Sequence, residues 1–247
     1  MHNHSKIHFI TFSGGNQTYR QRLDVICNQC KQIPFIDNIV GYTDSHLKQD
    51  IPFWQQHGHF IQNNSRGYGY WLWKSYINLN FIDTIDDNDI VIYADAGCEF
   101  NINEQSLQRL KQYIELTQLS QYGILSFELR RFFEKEYTKS DTINYLQGDD
   151  VSLSKQLVGG VFLYKKSNHV KMLFQKWYQA SCNYHLLDDS HSIIPNHQSF
   201  KEHRHDQSIF SIIRKKYGTH IITDETYWGP DWNVRGQHFP IWAKRSV

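Results

Sequence analysis

The sequence has no excess of either charge and no long apolar run. Its 247 residues contain 26 lysines and arginines against 25 acidic residues, which gives a formal net charge of +1. A protein that binds nucleic acid through its general charge is usually more basic, so we expect no nucleic-acid partner. No apolar stretch reaches the length of a membrane-spanning helix, and the amino-terminal residues lack the apolar core of a signal peptide. We therefore expect a cytoplasmic protein without a membrane span.

Cysteine is also scarce. The four cysteines, at positions 27, 30, 98 and 182, are too few and too scattered for a disulfide framework. Cys27 and Cys30 have the spacing of a redox motif. They come late in a helical pattern, however, and not at a helix start, where a thiol pKa is lowered. We interpret them as structural thiols.

Internal repeats, low-complexity tracts and linkers are lacking too, so residues 1–247 are expected to form one domain. Apolar runs of strand length alternate with helical patterns along the chain. Strands are predicted at 6–13, 38–42, 90–94, 123–129, 157–164 and 220–223, and helices at 18–31, 103–119, 167–182 and 204–216. Residues 52–54 and 183–201 are predicted to be irregular. This alternation predicts an α/β fold, a mixed sheet with helices on both faces.

One stretch ends an apolar strand with a carboxylate. Asp95 follows the apolar residues 90–94, and Gly97 comes two positions later. In α/β sheets, ligands bind in the crevice at the carboxyl ends of the strands. A glycine there lets the backbone turn and approach a ligand closely. The pattern indicates a binding site at Asp95, although many core strands also end in such turns.

Cations and glycines come shortly before this strand. Arg66 and Lys74 bracket Gly67 and Gly69, and together they could bring two positive charges and free backbone N–H groups onto a diphosphate. A helix is predicted from about residue 69, capped by Asn64 or Ser65. The alternative is that this aromatic helix packs on the sheet, with its cations in solvent. The residues by themselves leave both interpretations open.

Four motifs in this order resemble one family. They are residues 66–74 (RGYGYWLWK), 89–99 (DIVIYADAGCE), 183–190 (NYHLLDDS) and 203–208 (HRHDQS). The sequence is similar, over almost its whole length, to bacterial and viral glycosyltransferases of the GT-A type that build lipopolysaccharide or capsule. The resemblance implies a GT-A-like, Rossmann-related fold. It also implies transfer of a sugar, a hexose, from a nucleotide-sugar donor, usually UDP-linked, to a glycan or lipid-linked glycan acceptor. The cofactor would be Mn²⁺ or Mg²⁺, and peripheral association with the inner face of the membrane is an alternative location.

The resemblance also implies site residues. The donor would be bound by Thr11, Phe12, Ser13, Arg66, Lys74, Asp95, Ala96 and Gly97; the acceptor by Gly159, Gly160, Asp188 and Asp189; the metal by Asp95, Glu99 and His238; and the catalytic residues would be Asp206 and Gln207. In an inverting enzyme Asp206 would take the acceptor's proton, whereas in a retaining enzyme Asp206 or Gln207 would position the sugar.

The sequence departs from the family at Gly97, where a second aspartate usually binds the metal. Either Glu99 substitutes for it, or fewer protein groups hold the ion, or no ion is needed. Two other functions stay open for the chain. One is a catalytically inactive module that binds a nucleotide or glycan, and the other is a metal-dependent nucleotide-sugar hydrolase.

Overall fold

A computed structural model of the chain describes residues 5–15, 17–227, 229 and 231–244. The described residues form nine strands: β1 (Ile7–Ser13), β2 (Asn38–Thr43), β3 (Ile90–Ala94), β4 (Glu99–Phe100), β5 (Ile124–Phe133), β6 (Lys155–Leu157), β7 (Val161–Lys165), β8 (His220–Thr223) and β9 (Ile241–Trp242). Seven of them make one sheet in the order β2-β1-β3-β7-β5-β6, with β8 also paired to β5. The pairs β1–β2, β1–β3 and β5–β8 are parallel, and β7 is antiparallel to both β3 and β5.

Helices cover both faces of this sheet. They are α1 (Gln17–Cys30), α2 (Asp44–Gln49), α3 (Ile51–Asn63), α4 (Gly67–Tyr70), α5 (Leu72–Phe81), α6 (Glu104–Leu119), α7 (Glu134–Tyr137), α8 (Ser140–Tyr145), α9 (Asn168–Ser181), α10 (Tyr184–Leu187), α11 (His205–Tyr217) and α12 (Trp232–Arg235). Alternate residues of the central strand face opposite sides: Val91 and Tyr93 join a core with α5, α9 and α11, whereas Ile90 and Ile92 join a core with α1 and α6. The mixed α/β sheet with helices on both faces is thus confirmed. None of the described helices is long and apolar enough to cross a membrane.

Local signals place several helix starts correctly. The side chain of Asn103 accepts a hydrogen bond from Ser106 N, and that of Ser167 accepts one from Val170 N, so each caps the helix expected after it. The expected irregular segment at 52–54 is wrong, because α3 runs through it. Asp50 caps α3 by accepting from Phe53 N, and Pro52 stands in the first helical turn, where its missing N–H leaves no bond unmade.

The strand predicted at 157–164, which the Gly159–Gly160 pair is expected to interrupt, is divided there into β6 and β7. One strand expectation needs correction. The strand β8 is not the last, since β9 pairs with β4 in a second, two-stranded sheet. Cys27 and Cys30 lie in α1 without a disulfide, and burial raises the pKa of both thiols.

The segment before α5 is wound left-handed. Residues 67–71 all have positive φ, between 51° and 84°, and the right-handed helix begins only at Leu72. For residues other than glycine this conformation costs about 1–2 kcal/mol each, so the surroundings must hold it. Gly69 N donates to Asn64 O at 2.8 Å, and Trp73 Nε1 donates to Gly67 O at 2.9 Å. The helix that the sequence predicts from about residue 69 therefore starts three residues later, after a strained turn.

The segment 183–201 is fastened to the short helix α8 and contains α10, so it is less irregular than expected. The carboxylate of Asp141 accepts hydrogen bonds from Ile193 N at 2.6 Å and Ile194 N at 2.8 Å, and contacts His185 Nε2 at 2.6 Å. Burial raises the pKa of Asp141, but these hydrogen bonds outweigh it and lower the pKa to about 2. An ionised Asp141 therefore holds the segment in place.

Replacing Gly69 with alanine should destabilise the fold by about 2–4 kcal/mol. Its φ is +84°, and a Cβ would lie 2.7 Å from Ile61 Cγ1 and 3.1 Å from Ile61 Cα. Gly123→Ala is the control, because Gly123 has a φ of +63° but its Cβ would come no closer than 3.4 Å to another atom. We expect about 1–2 kcal/mol there. Denaturant unfolding measures both losses, and equal losses would contradict a role for the Ile61 contact.

Asp141→Asn should lower the free energy of unfolding by about 2 kcal/mol at pH 7, since the folded-state pKa of about 2 lies below the usual value near 3.8. A lowered carboxyl pKa stabilises the fold above pH ~5, and this contribution is lost as the pH falls through ~4 toward ~2. The difference between the wild type and the variant should shrink over that window in thermal unfolding. Asp150→Asn, an exposed position, should show no difference at any pH. A difference that stayed constant down to pH 3 would disprove the assignment.

Candidate functional site

A buried ammonium group lies between two carboxylates at the edge of the sheet. Lys74 Nζ is 3.0 Å from Asp95 Oδ1 and 3.0 Å from Asp206 Oδ2, and its side chain is only 3% exposed. A third acceptor, Gly159 O, lies 3.4 Å from the same nitrogen. The ammonium donates hydrogen bonds to Asp95 Oδ2 and Gly159 O, each at 3.4 Å, and its contact with Asp206 is an ion pair. Asp95 remains reachable from solvent, with 35% of its side chain exposed.

Three elements bring these charges together. Lys74 lies in the first turn of α5, Asp95 directly follows β3, and Asp206 is the second residue of α11. Asp95 N donates to Gly160 O at 2.8 Å, and Cys98 N donates to Asp95 O at 2.8 Å, which closes the turn through Ala96 and Gly97. The residues that the sequence singled out on four separate segments thus meet at one point.

The electrostatics keep the central lysine charged. Burial lowers the pKa of Lys74, but attraction to Asp206 and Asp95 outweighs it and raises the pKa. Burial raises the pKa of Asp206 to about 6. The charge of Lys74 lowers this pKa, whereas the negative charge of Asp95 raises it. A carboxylate with a pKa near the working pH is suited to accept and release a proton.

Helix α11 fastens the break between β6 and β7 beside this cluster. Gln207 Oε1 accepts from Gly159 N at 3.1 Å, Ser211 Oγ accepts from Leu157 N at 2.7 Å, and Arg214 Nη2 donates to Val158 O at 2.8 Å. These three side chains are spaced by four and three residues, so they share one helix face. Gln207 also donates through Nε2 to Gln156 Oε1. The catalytic residue expected at Gln207 is therefore engaged in holding the segment that carries Gly159.

Neither glycine of that segment has room for a side chain. A Cβ on Gly160 would lie 2.7 Å from Asp95 Oδ2, and a Cβ on Gly159 would lie 2.8 Å from Gln207 Cβ. Side chains are therefore excluded at both positions by the site itself. Of the two glycines expected to contact an acceptor, Gly160 adjoins Asp95 and Gly159 adjoins Gln207.

The end of β1 presents polar groups next to the same edge. Ile10 lies opposite Tyr93 in the sheet, so residues 11–13 approach the level of Asp95. Within the described part of the chain, Thr11 Oγ1 and Ser13 Oγ are buried and have no hydrogen-bond partner. The Phe12 ring stacks on Trp73 at 3.8 Å, one residue before Lys74. The three residues expected at the nucleotide thus border the cluster.

Two half-exposed cations lie at the rim of this region. Arg20 Nη2 and Lys48 Nζ are 3.0 Å and 2.9 Å from the buried Asp44, at the end of β2. Their side chains are 57% and 50% exposed, so they can reach an anion in solvent. The ring of Tyr68 lies 6.1 Å from that of Phe12. Burial raises the pKa of Tyr68, and the charges of Lys48, Asp44 and Arg20 also act on this pKa.

Arg66 does not join the lysine cluster. Its Nη1 pairs with both oxygens of Asp189 at 3.1 Å and 3.0 Å. Asp188 accepts from Ser190 N and lies 3.4 Å from Lys139 Nζ. Both predicted acceptor carboxylates are thus paired with cations from outside the 183–190 segment, Arg66 and Lys139. Asp189 connects that segment to the site, because its Oδ1 is 3.6 Å from His205 Nε2.

The three expected metal ligands are not assembled. Glu99 pairs instead with Arg22 at 3.0 Å and Lys244 at 2.7 Å. The His238 ring lies 4.1 Å from that of Phe239 at a tilt of 51°, and His238 lines an open hollow of about 720 Å³ with side chains of α6. In residues 5–15, 17–227, 229 and 231–244, no three His, Cys, Asp or Glu side chains lie close enough to hold a metal ion. The correction has a physical reason: Glu99 is neutralised by Arg22 of α1 and by Lys244, which follows β9.

The remaining carboxylates do not fit a divalent ion either. Asp95 and Asp206 are already bridged by Lys74. An ion on Asp95 would lie beside that ammonium, which repels it and offsets part of the attraction of the two carboxylates. We therefore assign no metal site here.

Sequence reasoning missed two residues of the site. Tyr93 OH donates to Asp95 Oδ1 at 2.7 Å, and the two residues alternate with Ala94 along the end of β3. Their spacing of two was a usable signal, since it puts both on one face. His205 precedes Asp206 with a φ of 50° and stacks on Trp71 at 5.5 Å. No local pattern indicates this conformation, because contact with the distant left-handed turn holds it.

Comparison with known sequences finds no matching protein-family profile and no matching curated protein. Comparison with solved structures finds similar arrangements at low identity. An apo crystal structure of mouse xyloside xylosyltransferase 1 is 12% identical, with a TM-score of 0.47, over 94% of this chain and 90% of that one. A glycosyltransferase involved in glycosylation of the major capsid of PBCV-1 is 10% identical, with a TM-score of 0.49, over 96% and 91%. The galactosyltransferase LgtC, in complex with donor and acceptor sugar analogs, is 12% identical, with a TM-score of 0.46, over 92% and 77%.

Proposed function

We propose that residues 1–247 form one glycosyltransferase domain of surface-glycan biosynthesis. It moves a hexose from a UDP-linked donor to a glycan or lipid-linked glycan acceptor. The observation that carries this proposal is the convergence of Lys74, Asp95 and Asp206 beside the Gly159–Gly160 break. A reaction that separates a sugar from a diphosphate needs a fixed positive charge and a proton acceptor, and it needs room for two sugars between them.

The donor would lie along the end of β1. The unpaired hydroxyls of Thr11 and Ser13 are suited to a ribose or a nucleobase edge, because a buried polar atom without a partner is costly until a ligand supplies one. The Phe12–Trp73 stack offers an aromatic wall to a flat base. Asp95, the exposed carboxylate at the strand end, would accept a hydroxyl of the ribose or of the sugar. Ala96 and Gly97 would let the donor approach the backbone of the turn.

The acceptor would enter beside Gly159 and Gly160, toward the segment that carries Asp188 and Asp189. In an inverting reaction, the acceptor oxygen forms a bond to the anomeric carbon while the bond from that carbon to the diphosphate breaks. Asp206 takes the hydroxyl proton, for which its pKa of about 6 is suited. In a retaining reaction, Asp206 would instead fix the transferred sugar. Gln207 supports either course by holding Gly159 N.

Turnover separates this proposal from its alternatives. The protein is incubated with a panel of nucleotide sugars, with and without oligosaccharide acceptors, and the products are identified by mass spectrometry. A transferase adds one hexose to an acceptor, whereas a hydrolase releases free sugar at a rate that acceptors do not raise. An inactive binding module consumes no donor. Absence of binding and of turnover with every nucleotide sugar would disprove the proposal.

Asp95→Asn should lower the affinity for UDP by about tenfold, because a charge-assisted hydrogen bond is replaced by a neutral one. Isothermal titration calorimetry with UDP measures the change. Asp87→Asn is the matched control: it removes the same charge from a side chain that is 89% exposed and pairs only with Lys166 at 3.8 Å. UDP affinity of the control should be unchanged. An equal loss in both variants would place UDP elsewhere.

Asp206→Asn should reduce sugar transfer by about 10²–10⁴-fold if Asp206 is the base, with UDP affinity within about threefold of the wild type. The comparison of kcat with the calorimetric Kd separates the two effects. Circular dichroism checks that the variant is folded. A variant with unaltered kcat would remove Asp206 from the chemistry and leave it a structural partner of Lys74.

A further inference from the structure

Lys74 already neutralises Asp95, which is a task that a donor-binding metal ion would otherwise perform. Its Nζ lies 3.0 Å from one oxygen of Asp95 and 3.0 Å from one oxygen of Asp206. Asp95 Oδ1 also accepts from Tyr93 OH at 2.7 Å, so this oxygen already has two donors. The second oxygen packs against Gly160 and lies 3.4 Å from the same ammonium. The carboxylate is therefore already paired with a cation, although 35% of its side chain is exposed.

The ammonium is also held on its other sides. Its nitrogen lies 5.8 Å from the centre of the Trp73 ring and 5.6 Å from that of Tyr93, within the range of cation–π attraction. Gly159 O, 3.4 Å away, provides the third acceptor. Lys74 lies in the first turn of α5, and the apolar residues of this helix are buried in the core. A large movement of Lys74 would therefore disturb the packing of α5. Lys74 is a fixed charge.

We propose that this lysine replaces the divalent cation, so that the chain binds its donor and transfers the sugar without a metal. The inference rests on the proposed function. Of the three explanations for glycine at position 97, we select the one in which no ion is needed. Glu99, the residue that could replace the second aspartate as a metal ligand, forms ion pairs with Arg22 and Lys244.

The charge balance supports this assignment. Lys74 offsets one of the two negative charges of Asp95 and Asp206, which would otherwise repel a diphosphate more strongly. At the rim, the half-exposed Arg20 and Lys48 together outweigh the charge of their partner Asp44 and supply positive charge to the donor. As the bond between the anomeric carbon and the diphosphate oxygen breaks, negative charge grows on the leaving group. A preorganised cation stabilises that charge more in the transition state than in the ground state. Lys74 keeps its proton throughout, and the nucleoside diphosphate leaves with the electron pair.

The first test compares UDP binding by the wild type in EDTA and in MnCl₂. Calorimetry should give dissociation constants within about twofold of each other, and the rate of sugar transfer should likewise be unaffected by the chelator. UDP binding that disappears in EDTA and returns with Mn²⁺ would overturn the inference but keep the proposed function. No UDP binding in either condition would overturn both.

The second test removes the lysine. Lys74→Met should weaken UDP binding in EDTA by at least tenfold. It should also create a response to Mn²⁺ that the wild type lacks, because Asp95 and Asp206 are then free to share an ion. Thermal unfolding with MnCl₂ alone, without nucleotide, measures this gain. A Lys74→Met protein that binds UDP as the wild type does, or that gains no Mn²⁺ response, would contradict the replacement.

Lys215→Met is the matched control. Lys215 is also a buried lysine, 6% exposed, and lies 2.7 Å from the fully buried Glu134. Its removal frees one carboxylate outside the site, so it should lower the midpoint of unfolding without any response to Mn²⁺. An equal Mn²⁺ response in both variants would show that any freed carboxylate suffices, which overturns the inference. If Lys74→Met does not fold, the EDTA comparison on the wild type decides.

Discussion

The arrangement at the sheet edge depends on one buried ammonium group. Without Lys74, Asp95 and Asp206 would place two negative charges in a partly dry site with nothing to neutralise them, and each would resist ionisation. With it, the carboxyl end of β3, the start of α5 and the start of α11 are tied to a single nitrogen. Gly159 O joins the same nitrogen, so the break between β6 and β7 is fixed as well.

Two strained pieces of backbone flank this group. The left-handed turn at 67–71 leads into α5, and His205, with a φ of 50°, leads into α11. They support each other, because the His205 ring packs on Tyr70 at 4.9 Å and on Trp71 at 5.5 Å. Strain of this kind persists only where the surroundings over-determine it, and it concentrates at functional sites. Here the two strained turns place Lys74 and Asp206 next to each other.

The sequence motifs and the structure differ on the metal. The family resemblance implies a ligand set of Asp95, Glu99 and His238. In the fold, Glu99 turns to Arg22 and Lys244, while His238 lies against α6 and Phe239. Ligand spacing in a sequence indicates which residue types are near each other along the backbone. Which cations neutralise them depends on strands and helices far away in the chain.

The sequence by itself determined the strand that delivers Asp95, the capped helices after Asn103 and Ser167, the Gly159–Gly160 break and the helix that carries Asp206. Each has a local cause, either a hydrophobic period or a side chain that bonds nearby backbone. Only the tertiary structure decided that α3 replaces an irregular segment, that residues 67–71 wind left-handed and that Lys74 lies between two carboxylates. Left-handed backbone and a buried ion pair are unfavourable locally, so they form only when distant packing holds them.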